Sequence, residues 1–438
     1  METVGGRVRI AGILRDRNNW RRYLAWQGKL GNAVRPAVRY HVRRVLACCT
    51  AAMGASVYRC AGCGTLRVVP HSCKSRFCSS CGTARTRDWC ERLLSDLLAV
   101  PYRHLIFTIP WQLRLLIRDN RGRLERVMFR AAADAVLALT RGDPVPLGRK
   151  GRARMKRRRK RYLPGMLIAL HTFGSDLKRT PHWHMMVTAG GLALDGTRWF
   201  PAPSRSLVSA VELATEWRLR VVAGILQEHR RKKLYCRRLR SDRRRRLNVE
   251  RLLGFIGKSK WRVRIGPALE DASGAVKYCA RYSRRPALGE TRIAKYDGCH
   301  VTFRYKDYYR GGKPAWMKLP VLQFIDRLVQ HIPEKNARHL RYYGLFASRV
   351  KTRLLAAARK ALGQRKRRRP APASWMRRRQ AAGEKHPLRC PNCGGNMQLH
   401  CQLFGSPAAI AEIIGIEPHE KMPYRTCLPA GALRNAAG

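Results

Sequence analysis

Acidic residues are scarce in this chain. Its 438 residues include 27 Asp and Glu against 91 Lys and Arg, which gives a formal net charge of +64. A free surface with this charge would repel itself, so we expect a polyanionic partner, with nucleic acid as the first choice. A membrane surface is the alternative, but the sequence has no run of about 18 apolar residues that could cross a bilayer.

Two further patterns are missing. The N-terminal residues lack the basic and apolar pattern of a secretory signal peptide, so we expect a cytoplasmic, bacterial protein associated with the nucleoid. Gly257-Lys258-Ser259 ends like a phosphate-binding loop, but Leu252 stands where that motif needs glycine. We therefore expect no ATPase, and any separation of nucleic-acid strands would depend on supercoiling or a host helicase.

Cysteine, in contrast, is abundant and clustered. Of the 15 cysteines, six lie between positions 60 and 90: Cys60, Cys63, Cys73, Cys78, Cys81 and Cys90. In a reducing cytosol such a cluster indicates metal ligands rather than disulfides. The two Cys-x2-Cys knuckles, Cys60 with Cys63 and Cys78 with Cys81, predict one zinc ion in a closed tetrahedral shell. Whether Cys73 or His71 replaces one of these ligands or serves a second ion stays open.

A closed zinc shell is structural, so the segment is predicted to brace the fold or to bind DNA rather than to catalyse. It carries basic residues that would contact phosphates: Arg59, Arg67, Lys74 and Arg76. Nearer the C-terminus, a second candidate zinc element contains Cys390, Cys393, His400 and Cys401.

Two histidines flank one bulky residue in the sequence His182-Trp183-His184. On a strand, side chains alternate, so the histidines share one face while Trp183 points into a core. Two imidazoles can bind a divalent cation that polarises a phosphate. The alternative is a pair of ordinary histidines on a polar strand face.

A third ligand depends on how the preceding strand pairs with this one. If Phe173 pairs with His182 in an antiparallel hairpin, His171 lies opposite His184 and all three imidazoles share a face. A slip of one residue would turn His171 away. Other candidates for the third ligand are Asp176 and His104. Three imidazoles favour Mn²⁺ over Mg²⁺ on intrinsic affinity, although cellular abundance could reverse this.

Tyr278 and Tyr282 lie four residues apart on a predicted helix over residues 275–283, and therefore share one of its faces. A phenol is a poor nucleophile at its ordinary pKa near 10, and a nearby cation would favour the phenolate. Candidates are the metal and Arg281, Arg284 and Arg285. Attack on a phosphodiester would leave a phosphotyrosine and a free 3′-hydroxyl, and two tyrosines would allow two successive transfers. The alternative is that both tyrosines only pack in a core or on the surface.

Together these motifs resemble the HUH-type, two-tyrosine rolling-circle transposases of the insertion sequence 91 family. The resemblance covers residues 58–349. It rests on the zinc segment, on the strand motif His104-x2-Phe107-Thr108-Ile109-Pro110, on His171-Thr172-Phe173-Gly174-Ser175-Asp176 with His182-Trp183-His184, and on Tyr278-x3-Tyr282-Ser283-Arg284-Arg285-Pro286.

The resemblance implies that His182 and His184 bind the catalytic Mg²⁺ or Mn²⁺ and that Tyr278 and Tyr282 are the nucleophile candidates. It implies an α+β fold, with an antiparallel-sheet core flanked by helices and a small N-terminal zinc-binding domain. Alternatives are a replication initiator or relaxase with the same site chemistry, and a non-catalytic zinc-dependent DNA-binding protein.

The chain is predicted to divide into three parts. Residues 1–95 would form the helical and zinc-binding domain, residues 96–350 the catalytic domain, and residues 351–438 a basic linker and tail. Basic blocks at 149–161 and 230–246 would bind DNA; the alternative is a solvated, unstructured surface or a bias in composition. The expected DNA partner is mainly single-stranded element ends and target. The sequence leaves the oligomeric state open.

Overall fold

The computed structural model describes most of the chain. The described residues are 8–141, 161–202, 208–235, 248–283, 286–371, 374–380, 383, 386–419, 421–422 and 426–428. Most of both basic blocks therefore lies outside the described residues, as do Arg284 and Arg285. Of helix residues Tyr278, Arg281 and Tyr282, only the backbone is described. Among the described residues, no helix is long and apolar enough to cross a bilayer.

The described residues form helices and strands that are mixed along the sequence. The helices are α1 (Ile10–Arg15), α2 (Asn19–Lys29), α3 (Pro36–Leu46), α4 (Ser79–Asp96), α5 (Leu113–Asp119), α6 (Arg123–Arg141), α7 (Ala210–Arg230), α8 (Val249–Lys258), α9 (Ala272–Ser283), α10 (Val321–Val329), α11 (Lys351–Ala361), α12 (Trp375–Gln380) and α13 (Pro407–Ile414). The strands are β1 (Ala55–Cys60), β2 (Leu66–Pro70), β3 (Tyr102–Thr108), β4 (Tyr162–Leu163), β5 (Gly165–Phe173), β6 (Arg179–Thr188), β7 (Gly190–Ala193), β8 (Trp199–Pro201), β9 (Arg262–Leu269), β10 (Ile293–Tyr296), β11 (His300–Asp307), β12 (Lys313–Pro320), β13 (Leu340–Gly344), β14 (Met397–Leu403) and β15 (Thr426–Leu428).

A five-stranded sheet lies at the centre, in the order β13-β5-β6-β3-β9, and its neighbouring strands are antiparallel. Both of its faces are covered by helices, which is why β5 is buried along nearly its whole length instead of alternating with polar residues. This arrangement confirms the predicted α+β fold with an antiparallel core.

Each face of the central sheet has its own apolar core. On one face, Trp183 and Phe107 pack with helices α5, α6, α7 and α8, and Trp183 is completely buried. On the other face, Tyr102, Leu167 and Met186 pack with α4, α9 and α11. Trp183 therefore points into a core, as predicted. An aromatic side chain of this size is among the larger single contributions to a hydrophobic core.

A separate core joins the N-terminal helices to the smaller sheet β10-β11-β12. Residues from α1, α2 and α3 pack there with β11 and α10, and four buried cysteines, Cys48, Cys73, Cys78 and Cys81, lie within it. Asn19 and Asp16 also bond to the Tyr296 hydroxyl, at 2.7 and 2.6 Å. The N-terminal helices therefore pack closely against residues far along the chain.

The C-terminal tail does not stand apart, which corrects the predicted division at residue 351. Strands β14 and β15 join β1 and β2 in one sheet, in the order β14-β1-β2-β15. Helix α13 packs against the same sheet through Ile410 and Ile414. Sequence reasoning misses this because nothing local to either segment specifies a strand partner more than 300 residues away.

Candidate active site and metal centres

Three histidines meet on the face of the central sheet that α9 covers. The ligand nitrogens of His171, His182 and His184 all lie within 4.8 Å of one another. His171 and His184 are buried, whereas His182 is partly exposed and marks the open side of the group. Three imidazoles at this spacing suit one divalent ion with further positions left for water or phosphate oxygens.

The hairpin register explains why His171 joins the pair. In the structure His171 pairs with His182, and Ala169 pairs with His184. The predicted pairing of Phe173 with His182 is therefore wrong, because a bulge after His171 makes Phe173 pair with Arg179. The shift amounts to two residues, and because side chains alternate with period two, His171 stays on the predicted face.

Hydrogen bonds orient two of the rings. His182 Nδ1 lies 2.6 Å from the Thr180 carbonyl oxygen and donates to it, which leaves Nε2 as the ligand atom. His184 Nδ1 lies 2.7 Å from His104 Nε2. With Nε2 of His184 on a metal, its Nδ1–H would donate to His104. His104, a candidate third ligand from the sequence, thus contacts the His184 ring and is not part of the three-histidine group.

Burial sets the charge of these rings. Burial is the largest cause of the lowered pKa of His171, His182 and His184. It also lowers the pKa of His104, to about 4. Electrostatic repulsion by neighbouring histidines lowers the pKa of His171, His184 and His104 further. Nearby arginines have the same effect on the pKa of His182 and His104. Neutral imidazole is the form that binds metal, so no proton has to be displaced at neutral pH.

Asp176, another predicted candidate, serves the turn instead. Its carboxylate accepts from the Lys178 backbone N–H at 3.1 Å and pairs with Lys178 Nζ at 3.7 Å. It is not part of the three-histidine group. A carboxylate at this position closes the hairpin that brings β5 and β6 together.

Two arginines near the histidines were missed by the sequence reasoning. Arg114 on α5 contributes to the lowered pKa of His182, and Arg264 on β9 does the same for His104. Arg264 is exposed and Arg114 partly so, which places cations where a phosphate would approach. No sequence motif marks them, because only the pairing of β9 with β3 and the position of α5 bring them here.

The predicted tyrosine helix lies on the histidine side of the sheet. Ala275, Val276 and Cys279 of α9 are fully buried and share a core with Ala169 and other residues of the central strands. Ala169 pairs with His184 in the sheet. Tyr278 and Tyr282 belong to this helix and follow its buried residues Ala275 and Cys279 by three positions each.

Eight of the described cysteines form two groups, and this corrects the predicted zinc ligands. One group is Cys48, Cys73, Cys78 and Cys81; the other is Cys60, Cys63, Cys390 and Cys393. The two predicted knuckles therefore do not share one ion. Strand β2, whose five residues span roughly 17 Å at about 3.3 Å per residue, lies between them in the sequence.

The first group has the spacing of a zinc shell. Cys48 lies 3.6 Å from Cys81 and 3.8 Å from Cys78, and Cys73 lies 3.7 Å from Cys81, sulfur to sulfur. Tetrahedral zinc with Zn–S bonds of about 2.3 Å requires separations of about 3.8 Å. Cys48 was missed because it belongs to no Cys-x2-Cys pair.

Other predicted zinc-segment residues have different roles. His71 bonds to Ser56 Oγ at 2.9 Å and to the Met53 carbonyl at 3.2 Å, so it is not a ligand here. Arg67 is buried and donates to the Pro387 carbonyl, which removes it from any DNA surface. Arg76 lies 3.0 Å from His339 Nδ1, whereas Lys74 is exposed. Lys74 therefore remains a candidate phosphate contact.

Comparison with known proteins now identifies the chain. A family model described as "Transposase zinc-binding domain" matches residues 17–109, and one described as "Putative transposase" matches residues 165–353. The chain is 30% identical over 376 residues to the transposase for insertion sequence element IS801 of Pseudomonas savastanoi pv. phaseolicola, covering 83% of both chains. It belongs to the insertion sequence 91 family of transposases.

This transposase is also 27% identical over 368 residues to "Putative transposase y4qJ" of Sinorhizobium fredii (strain NBRC 101917 / NGR234), across 82% of the chain and 87% of the relative. No solved structure matches it. The zinc-binding family model and the cysteine groups support structural zinc. As a transposase, the protein acts on DNA, which accounts for its excess of basic residues.

Proposed function

We propose that this transposase nicks and rejoins single DNA strands in rolling-circle transposition, using Tyr278 and Tyr282 as nucleophiles. The observation that carries the proposal is the three-histidine group, whose ligand atoms lie within 4.8 Å on the sheet face that the tyrosine helix covers. A divalent ion bound by His171, His182 and His184 would polarise the scissile phosphate and offset its charge.

The chemistry follows from the residues around the phosphate. Arg114 and Arg264 would orient the DNA backbone, and the phenol oxygen of one tyrosine would form a bond to phosphorus. The bond from phosphorus to the 3′ oxygen breaks, the phenol loses its proton and the departing 3′ oxygen gains one. A 5′-phosphotyrosine and a free 3′-hydroxyl result.

Rejoining is the reverse reaction with a different strand end. A 3′-hydroxyl of the target attacks the phosphotyrosine, forms the new phosphodiester and releases the tyrosine. The second tyrosine allows a second nick before the first intermediate is resolved. We further propose that the substrate is single-stranded DNA of the bacterial nucleoid and that a host helicase supplies it, because no intact ATP-binding loop is present.

A covalent-adduct assay tests the proposal. The protein is incubated with single-stranded oligonucleotides from its element ends and Mn²⁺ or Mg²⁺, and adducts are resolved by denaturing electrophoresis. We expect adducts with the wild type and with Tyr308→Phe, which alters an exposed tyrosine outside the site. The Tyr278→Phe, Tyr282→Phe double variant should form none.

Two outcomes would overturn the proposal. Persistence of the adduct in the double variant would remove both tyrosines as nucleophiles. Absence of any adduct with the wild type, in the presence of either metal and with DNA binding intact, would favour the binding-only alternative.

A further inference from the structure

The second cysteine group is built from two copies of one turn. The segments Cys60-Ala61-Gly62-Cys63-Gly64 and Cys390-Pro391-Asn392-Cys393-Gly394 lie about 330 residues apart in the sequence, Cys60 and Cys393 being separated by 333 positions. In the first, the Gly64 N–H donates to the Cys60 carbonyl at 3.1 Å; in the second, the Gly394 N–H donates to the Cys390 carbonyl at 3.0 Å.

The match extends to the next bond and to the backbone angles. The N–H of Cys60 donates to Thr65 at 2.9 Å, and the N–H of Cys390 donates to Gly395 at 2.8 Å. Gly64 and Gly394 have φ of +72° and +71°, values that glycine adopts without strain. Two equivalent knuckles therefore face each other, each of the kind that presents a pair of thiols to zinc.

The sulfur atoms of the two knuckles interleave. Cys60 Sγ lies 3.4 Å from Cys393 Sγ, and Cys63 Sγ lies 3.5 Å from Cys390 Sγ. These separations are close to the roughly 3.8 Å edge of a zinc–thiolate tetrahedron and far from the roughly 2.05 Å of a disulfide. A Cβ on Gly395 would lie 3.3 Å from both Cys60 and Cys393 Sγ, so the turn leaves little room beside the sulfurs.

The surrounding chain holds both knuckles in place. Strand β14 pairs with β1 directly at the site, where Met397 lies opposite Cys60. Asn392 Nδ2 donates to Thr65 Oγ1 at 3.0 Å, which joins one knuckle to the other, and Arg67 donates to the Pro387 carbonyl. The arrangement is thus fixed by contacts other than the cysteines themselves.

We propose that Cys60, Cys63, Cys390 and Cys393 bind a second structural Zn²⁺, which fastens the C-terminal segment to the N-terminal zinc-binding region. This goes beyond the proposed strand transfer and does not depend on it. Neither family model reaches Cys390 or Cys393, since the matches end at residues 109 and 353. The site would link a segment that precedes the catalytic region in the sequence to one that follows it. The two segments would then form one structural unit.

Zinc content tests the proposal directly. Purified wild-type protein and the Cys390→Ser, Cys393→Ser double variant are dialysed and measured by inductively coupled plasma mass spectrometry. We expect the double variant to hold one zinc fewer per chain. The control is Cys401→Ser, which alters a cysteine on strand β14, beyond the second knuckle and outside both groups, and it should keep the wild-type content. Equal zinc in the wild type and the double variant would overturn the proposal.

A labelling experiment on the wild type avoids any question of misfolded variants. Cys63 and Cys393 are exposed, as is Cys299, which lies outside both cysteine groups. In zinc-loaded protein, brief alkylation followed by peptide mass spectrometry should modify Cys299 and spare Cys63 and Cys393. Chelation should make these two reactive together. Labelling of all three at similar rates before chelation, or protection that only a reductant removes, would contradict a zinc site.

Discussion

His104 is predicted to tune metal binding without touching the metal. Its Nε2 lies 2.7 Å from His184 Nδ1, and the two rings stack with centroids 5.0 Å apart. Both side chains are buried, so water cannot readily replace the bond. Replacing His104 by Phe keeps a ring of similar shape and removes the acceptor that fixes the orientation of His184.

Loss of such an outer hydrogen-bond partner typically weakens metal affinity by about 10- to 100-fold, or about 1.4 to 2.8 kcal/mol. We expect a decrease of this size for Mn²⁺ binding to His104→Phe, measured by isothermal titration calorimetry without DNA. His104→Gln should recover part of the affinity, because its amide oxygen can accept from His184.

A matched control separates this effect from the loss of any buried imidazole. His331 is also buried and bonds to the Leu177 carbonyl at 3.0 Å, outside the three-histidine group. His331→Gln should leave Mn²⁺ affinity unchanged. If His104→Phe binds Mn²⁺ as tightly as the wild type, the proposed orienting role is wrong.

Three further predictions concern stability, DNA binding and the tail. Trp183→Ala should lower the free energy of unfolding by about 3–5 kcal/mol in urea denaturation, because the side chain is fully buried; Trp316→Ala, at an exposed position, should change it by less than about 0.5 kcal/mol. DNA affinity should fall steeply with salt, by about 10³–10⁵ between 50 and 200 mM if 6–10 phosphates are contacted, and a flat dependence in fluorescence anisotropy would show that the basic residues do not contact DNA. Truncation after Gln380 removes β14 and β15 and leaves β1 and β2 unpaired on their outer edges, so size-exclusion chromatography should show aggregation; a monodisperse truncated protein would contradict the joint sheet.

The parts of the structure that depend on local periodicity could be predicted from the sequence. His182 and His184 share a face, and Trp183 lies in a core, because strand alternation alone decides both. The face of His171 was predicted correctly although the predicted strand register was wrong. The register differs by two residues, and residues two apart on a strand share a face. The sheet type followed from the resemblance, which the family comparisons support.

Long-range pairing could not be predicted in the same way. Cys-x2-Cys spacing shows that two thiols act together, but not which other pair completes the shell. Cys60 and Cys63 lie at the far end of a hairpin from Cys78, and only the fold brings Cys390 to them. For the same reason the sequence does not indicate the roles of Cys48, Arg114 and Arg264, because their partners are set by packing and strand order.

The residue that bonds to DNA can be identified directly. Wild-type adduct formed on a single-stranded element end is digested with protease and nuclease, and the modified peptide is sequenced by tandem mass spectrometry. We expect a nucleotide linked through its phosphate to Tyr278 or Tyr282 of α9. A nucleotide on any other residue would contradict it.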